Sequence, residues 1–123
     1  MAKILICDDS IFMRMLLKGI LVPAGHSIVG EASNGWEAVE LYQSCKPELV
    51  TMDITMKELD GITALKKIKT QDPQAKVIMV SSMGQQEIIV SALKAGASDF
   101  IIKPFSEERI LEIIGHALIK KVL

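Results

Sequence analysis

Several side chains that could do chemistry together stand at the ends of short apolar segments. Asp8 and Asp9 follow the run KILIC, and Asp53 follows ELVTM. Ser81 follows KVIMV, and Lys103 follows SDFII. Carboxylates that are brought together raise one another's pKa and destabilise the fold unless a cation compensates their charge. A hard divalent cation with oxygen ligands would do this, and Mg²⁺ suits a site with few protein carboxylates and several waters.

Such a group of residues could accept a phosphoryl group. A carboxylate beside a metal ion can act as a nucleophile toward phosphorus, because the ion neutralises charge on the transferring oxygens. The Ser81 hydroxyl and the Lys103 ammonium would supply a hydrogen bond and a point charge to other oxygens. Each residue alone could be a helix cap or a turn residue. Their joint occurrence at four strand ends favours a phosphoryl-transfer site.

The elements that must position these side chains alternate along the chain. Short apolar runs predict five strands, at 3–7, 28–32, 48–52, 76–80 and 98–102. Apolar residues at helical spacing predict a helix after each strand, with starts near Ser10, Asp60 and Ser106. This alternation predicts an α/β fold in which helices cover both faces of a parallel sheet. Ligand sites in such sheets lie beyond the carboxyl ends of the strands.

Length and composition exclude several classes of protein. The 123 residues predict one domain over 1–123, and half of them are apolar, which excludes intrinsic disorder. A net charge of −1 argues against a nucleic-acid partner. No apolar stretch is long enough for a membrane span, and the start of the chain does not resemble a signal peptide. Cys7 and Cys45 lack metal-site or redox spacing, so we expect two small buried side chains in a cytoplasmic protein.

The order of these residues resembles the receiver domain of two-component response regulators over nearly the whole chain. The pattern consists of Asp8 and Asp9, then Asp53, then Ser81, then Lys103 with the proline that follows it. The resemblance implies a flavodoxin-like (βα)5 fold with three αβα layers and strand order 2-1-3-4-5. It also implies a signalling switch that catalyses only its own phosphorylation and dephosphorylation, and is not an enzyme in the usual sense.

The resemblance implies a role for each acidic residue. Asp53 would accept a phosphoryl group from a histidine kinase. Mg²⁺ would be held by Asp9, by Asp53 and by the main-chain carbonyl of Thr55, with Asp8 acting largely through water.

The resemblance also covers the residues on the later strands. Ser81 would move to meet a new phosphoryl oxygen, and Lys103 would pair with that oxygen. The bond between Lys103 and Pro104 would be cis, which costs little before proline. Phe100 stands where the family has an aromatic residue that changes rotamer, although it could also be a plain core residue of the fifth strand.

Two further features could modulate the switch. Lys57 replaces a proline that is usual in the family. We therefore expect an altered loop mobility and an altered rate of phosphorylation or hydrolysis, unless Lys57 is simply a solvated loop residue. Met83 and Thr55 flank the expected water path and could tune the lifetime of the phosphoryl group.

Consecutive apolar residues at 88–90 on a predicted helix cannot all face the sheet. At least one of them should point outward. It could pack against a neighbouring helix, or it could form a docking patch with Phe100 and the last helix.

Within the family, the segments FMR at 12–14, MDITM at 52–56 and SSMGQQ at 81–86 are similar to those of CheY-like chemotaxis regulators. We therefore expect a monomer that is phosphorylated by a CheA-like histidine kinase and binds a flagellar motor switch protein. A phosphatase could be a further partner. The alternative is a phosphorelay shuttle that passes its phosphoryl group to a histidine phosphotransfer protein. A phosphatase resembling haloacid dehalogenase enzymes is disfavoured, because Thr55 stands where those enzymes carry a second aspartate.

Overall fold

The secondary structure follows the predicted alternation of strands and helices. The computed structural model describes residues 2–82 and 84–119. Its strands are β1 (Lys3–Cys7), β2 (Ser27–Ala32), β3 (Leu49–Asp53), β4 (Val77–Ser81) and β5 (Asp99–Ile102). Its helices are α1 (Ile11–Leu21), α2 (Gly35–Cys45), α3 (Gly61–Gln71), α4 (Gln86–Lys94) and α5 (Glu107–Ile119). The predicted strand boundaries are confirmed to within one residue at each end.

All five strands run parallel in one sheet with the order β2-β1-β3-β4-β5. The flavodoxin-like order that the resemblance implies is therefore confirmed. Every residue of β3 and of β4 is buried, as expected for central strands of a sheet that is covered on both faces. The carboxyl ends of all five strands lie at one edge of this sheet.

Two apolar clusters, one on each face of the sheet, pack the strands against the helices. Because strand residues alternate between faces, Ile4 and Ile6 of β1 pack with α1 and α5, whereas Leu5 packs on the opposite face with α2, α3 and α4. The predicted three-layer αβα arrangement is thus confirmed. Cys7 is buried, and its burial raises the pKa of the thiol, which keeps it neutral. Cys45 is only partly buried, and its thiol lies 3.3 Å from the carbonyl oxygen of Val29.

Side-chain caps begin several of the helices, directly after the loops that follow the strands. The Ser10 hydroxyl accepts the N–H of Met13 at 3.3 Å, and the Ser106 hydroxyl accepts the N–H of Arg109 at 3.0 Å. The Asp60 carboxylate accepts the N–H of Thr63 at 2.9 Å. Each cap satisfies one N–H that the first turn of a helix leaves unpaired. The predicted helix starts are therefore confirmed.

Helix α4 exposes one of its three consecutive apolar residues. Val90 is 39% exposed, whereas Ile88 packs against the core cluster on its face of the sheet. The expectation that at least one residue of 88–90 points outward is confirmed. Within residues 2–82 and 84–119, no helix has the length and apolarity that a membrane crossing requires.

Gly61 allows α3 to begin against the end of β3, and replacing it should destabilise the protein. A Cβ atom at this position would overlap the carbonyl oxygen of Asp53. We expect Gly61→Ala to lower the free energy of unfolding by about 1–3 kcal/mol through overpacking. Urea denaturation of the two proteins measures this difference.

The matched control is Gly115→Ala in α5, where nothing lies within 4 Å of the added Cβ. That substitution should stabilise the protein by about 0.5–1 kcal/mol, because glycine is a poor residue for a helix interior. Equal stability of Gly61→Ala and the wild type would contradict the close approach of α3 to β3.

Candidate functional site

The parallel sheet brings the predicted site residues to one edge. Asp8 and Asp9 follow β1, while Asp53 and Ser81 are the last residues of β3 and β4. Lys103 follows β5, and its main-chain N–H donates to the carbonyl oxygen of Ser81 at 2.8 Å. Because β1, β3 and β4 are direct neighbours, residues far apart in sequence become adjacent here. The structure brings all five residues together, as predicted.

Three aspartates form an acidic cluster at this edge. One carboxylate oxygen from each of Asp8, Asp9 and Asp53 lies within 4.8 Å of the other two. Asp8 is 2% and Asp53 6% exposed, whereas Asp9 faces solvent. Three hard oxygen donors, one of them open to water, fit a divalent cation such as Mg²⁺, which retains several waters when it binds to proteins. The donor set therefore fits the predicted metal.

Lys103 is the cation that compensates part of this charge. Its Nζ lies 3.1 Å from Oδ2 of Asp8 and 3.6 Å from Oδ1 of Asp53, and its side chain is 18% exposed. With all groups ionised, the three carboxylates and this ammonium sum to −3 + 1 = −2. The remaining negative charge favours a further cation at the cluster.

Burial disfavours the ionisation of Asp53. Burial raises its pKa to about 6, and the negative charges of Asp8 and Asp9 add to this increase. The Lys103 ammonium and the N–H of Ile54 act in the opposite direction. Because its pKa lies below 7, Asp53 is mainly an anion at neutral pH. Its charge is nevertheless poorly solvated, so a bound cation would stabilise the ionised form.

Arg14 is a residue at this edge for which the sequence predicts no role. It lies in α1, and its Nη1 donates to the main-chain carbonyl oxygen of Asp8 at 2.6 Å. Its side chain is only 15% exposed. No spacing rule points to an arginine one turn into the helix after an acidic pair, so only the folded geometry identifies this contact.

Thr55 and Lys57 both lie in the loop that follows β3. Thr55 is exposed, two residues beyond Asp53. Lys57 is also exposed, but its main chain pairs with that of Asn34 in an isolated bridge. The Lys57 carbonyl oxygen also accepts the N–H of Leu59 at 2.7 Å, across a residue with φ of 66°, Glu58. The segment is therefore tied to the start of α2, although a proline is absent. The effect of Lys57 on rates stays a prediction.

The remaining predicted residues lie around the site. The bond between Lys103 and Pro104 is cis, as the resemblance implies. Phe100 is partly buried against the core cluster that packs with α2, α3 and α4, and its role as a switch stays a prediction. Met83 lies outside the described residues.

Known proteins resemble this chain in both sequence and structure. The model of the response regulator receiver domain matches residues 4–115. CheY of Bacillus subtilis is 58% identical over 116 residues, which cover 94% of this chain and 97% of that protein. CheY of Thermotoga maritima is 54% identical over 113 residues, which cover 92% and 94%. The structure is also similar to a chain in the CheX-CheY-BeF3-Mg²⁺ complex from Borrelia burgdorferi, with a TM-score of 0.93, 37% identity, and coverage of 96% of this chain and 90% of that one.

The family match includes β2 to β5 in full, all of β1 except Lys3, and the whole acidic cluster. The two CheY relatives share more than half of the aligned residues over almost their full lengths. Strand order, site residues and similarity over the chain therefore lead to the same conclusion: this chain belongs to the response regulator receiver domain family, and its relatives include CheY-type chemotaxis proteins.

Proposed function

We propose that residues 1–123 form one receiver domain that accepts a phosphoryl group on Asp53 and thereby switches its binding to a partner in chemotaxis. The single observation that supports this most is the setting of Asp53. Its carboxylate is buried, lies 3.6 Å from Lys103 Nζ, and shares a cluster with Asp8 and Asp9. An anion in this setting is an oxygen nucleophile beside the cations that a transferring phosphoryl group needs.

In the proposed step, an Asp53 carboxylate oxygen attacks the phosphorus of a phosphohistidine. A new O–P bond forms while the P–N bond breaks, and the electron pair of that bond leaves with the imidazole nitrogen, which then takes a proton. Lys103 pairs with one phosphoryl oxygen, and the Ser81 hydroxyl donates to another. Asp9, Asp53 and the carbonyl oxygen of Thr55 would hold Mg²⁺, with Asp8 acting largely through water, and the ion would supply charge neutralisation at the transferring oxygens.

The step ends in an acyl phosphate on Asp53, which water later hydrolyses back to a carboxylate and inorganic phosphate. Each cycle uses one phosphoryl group for one protein molecule, so the chain acts as a signalling switch. We assign Ser81 and Phe100 to the change of conformation. We propose that Lys57 alters the rate of phosphorylation or of hydrolysis, and that Met83 tunes the lifetime of the phosphoryl group.

CheY relatives support a chemotaxis role for the proposed switch. We propose a monomeric, cytoplasmic protein with a CheA-like histidine kinase as its phosphoryl donor and a flagellar motor switch protein as its target. A similar chain was solved in a complex with CheX, which supports a further regulatory partner. We propose that this partner is a phosphatase.

Asp53 should be the aspartate that carries the phosphoryl group. Incubation with acetyl phosphate and Mg²⁺ should add the mass of one phosphoryl group to the intact protein, and Asp53→Asn should abolish the addition. Mass spectrometry of the intact chain measures both. The matched control is Asp60→Asn, which keeps an N-cap residue at the start of α3 and should label like the wild type. An unchanged wild-type mass, or labelling of Asp53→Asn, would contradict the proposed acceptor.

The raised pKa of Asp53 should make the metal-free protein less stable as its carboxyl ionises. The pKa of about 6 in the folded state exceeds the ordinary 3.8, so the folded protein holds this proton more tightly than the unfolded chain does. The free energy of unfolding should therefore fall between about pH 4 and pH 6, by on the order of 2–3 kcal/mol relative to Asp53→Asn. Urea denaturation in EDTA at several pH values measures this difference.

Mg²⁺ should reverse that loss at neutral pH, because it binds the folded state only. Millimolar Mg²⁺ should raise the melting temperature of the wild type, and raise that of Asp53→Asn less. A wild-type melting temperature that does not respond to Mg²⁺ would contradict the metal site.

Partner binding should depend on the state of Asp53. A pull-down with beryllofluoride, which mimics the acyl phosphate, should retain a flagellar motor switch protein, and omission of beryllofluoride should reduce its recovery. The Asp53→Asn variant, which lacks the acceptor carboxylate, should show no difference between the two conditions. Recovery of a histidine phosphotransfer protein instead would support the phosphorelay shuttle.

A further inference from the structure

Asp8 is held at all four of its hydrogen-bonding atoms. Its main-chain N–H donates to Ala32 O at 2.9 Å, and its Oδ1 accepts the N–H of Ser10 at 2.9 Å. Its Oδ2 accepts from Lys103 Nζ at 3.1 Å. The fourth atom, the carbonyl oxygen, accepts from Arg14 Nη1 at 2.6 Å. The site described above explains the Lys103 contact, whereas the Arg14 contact has no role in it.

The Arg14 contact acts on the peptide unit that joins Asp8 to Asp9. Because a peptide unit is planar, holding the Asp8 carbonyl also orients the N–H of Asp9 and the bond that leads to its Cα. The carboxylate of Asp9 faces solvent, and no donor in residues 2–82 and 84–119 forms a hydrogen bond with it. Among the described residues, the backbone is therefore what sets the direction of the Asp9 Cα–Cβ bond, from which the carboxylate extends.

Glu31 on β2 holds Arg14 in this position. Its Oε1 lies 3.0 Å from Arg14 Nε, and its Oε2 lies 3.0 Å from Lys18 Nζ. A guanidinium is planar, so a bond at Nε fixes the plane and thereby aims Nη1. One side chain thus joins β2 to the end of β1. Lys18 shares the same glutamate, but its ammonium forms no bond to Asp8 among the described residues.

We propose that Arg14 is a positioning residue that, anchored by Glu31, orients the peptide between Asp8 and Asp9 and thereby aims Asp9 at the cation. This inference depends on the metal site of the proposed function. Partners that orient metal ligands typically change the metal affinity by about 10- to 100-fold when they are removed.

If only electrostatics mattered, removing Arg14 would strengthen Mg²⁺ binding. Removing the positive charge of Arg14 would make the surroundings of the acidic cluster more negative, and by Coulomb's law this would favour a cation. Weaker Mg²⁺ binding after loss of Arg14 would therefore report the orientation of the ligand.

Calorimetric titration of the unphosphorylated protein with Mg²⁺ tests the inference. We expect Arg14→Gln to weaken Mg²⁺ binding by about 10- to 100-fold. Arg14→Lys should weaken it similarly, because an ammonium cannot form the two fixed contacts of the guanidinium. Lys18→Gln is the matched control. It removes the other positive charge that pairs with Glu31, and it should leave the Mg²⁺ affinity unchanged.

Urea denaturation in EDTA measures how much stability each variant loses without the metal, and so separates the positioning role from a purely structural one. Arg14→Gln and Lys18→Gln each remove one ion pair with Glu31, yet only the first should alter Mg²⁺ affinity. If Arg14→Gln fails to fold, Glu31→Gln replaces it and should also weaken Mg²⁺ binding, because it removes the anchor of Arg14.

Wild-type affinity in the folded Arg14 or Glu31 variant would overturn the inference, as would equal weakening in Lys18→Gln. Absence of Mg²⁺ binding by the wild type would instead remove the metal site of the proposed function, and the inference with it. The two failures are therefore distinguishable.

Discussion

Repulsion among three aspartates at one edge of the sheet is the constraint on which the rest of this site depends. Asp8 and Asp53 are buried, Asp9 is exposed beside them, and only Lys103 lies close enough among the described residues to pair directly with the buried carboxylates. Burial and the neighbouring charges raise the pKa of Asp53. The arrangement lowers stability until another cation compensates the charge. In the proposed function, its anionic oxygen on Asp53 is the one that accepts the phosphoryl group.

Such a cluster needs a backbone that cannot relax and let the charges separate. β1 and β3 are adjacent strands, and their pairing extends to Cys7 and Met52, so the acidic residues that follow directly cannot move apart without disturbing the sheet. The segment after β3 is held as well, because the N–H of Gly61 donates to Ile54 O at 2.8 Å and that of Gly35 donates to Leu59 O at 3.0 Å. The first residues of α2 and of α3 are therefore both hydrogen-bonded to the segment that follows Asp53.

Residues that follow β1 and β5 also support the acidic pair. Ser10 and Lys103 bond the carboxylate of Asp8, while Arg14 bonds its carbonyl oxygen. The proposed positioning of the exposed Asp9 acts through this backbone. A site of this kind combines rigid buried ligands with one solvent-facing ligand, which allows a hydrated cation to enter and leave.

The sequence by itself determined the alternation of strands and helices and the helix starts, because apolar periodicity and capping act between residues that are near in the chain. It also put the acidic, hydroxyl and lysine side chains at the strand ends, whereas their individual roles came from the family resemblance. The strand order came from the family resemblance, since the pattern of residues does not specify which strands are neighbours. Only the tertiary structure decided the raised pKa of Asp53, the bridge between Lys57 and Asn34, and the contact of Arg14 with Asp8. These depend on distances between segments as remote as Asp8 and Lys103, which are 95 positions apart, and no local periodicity encodes such distances.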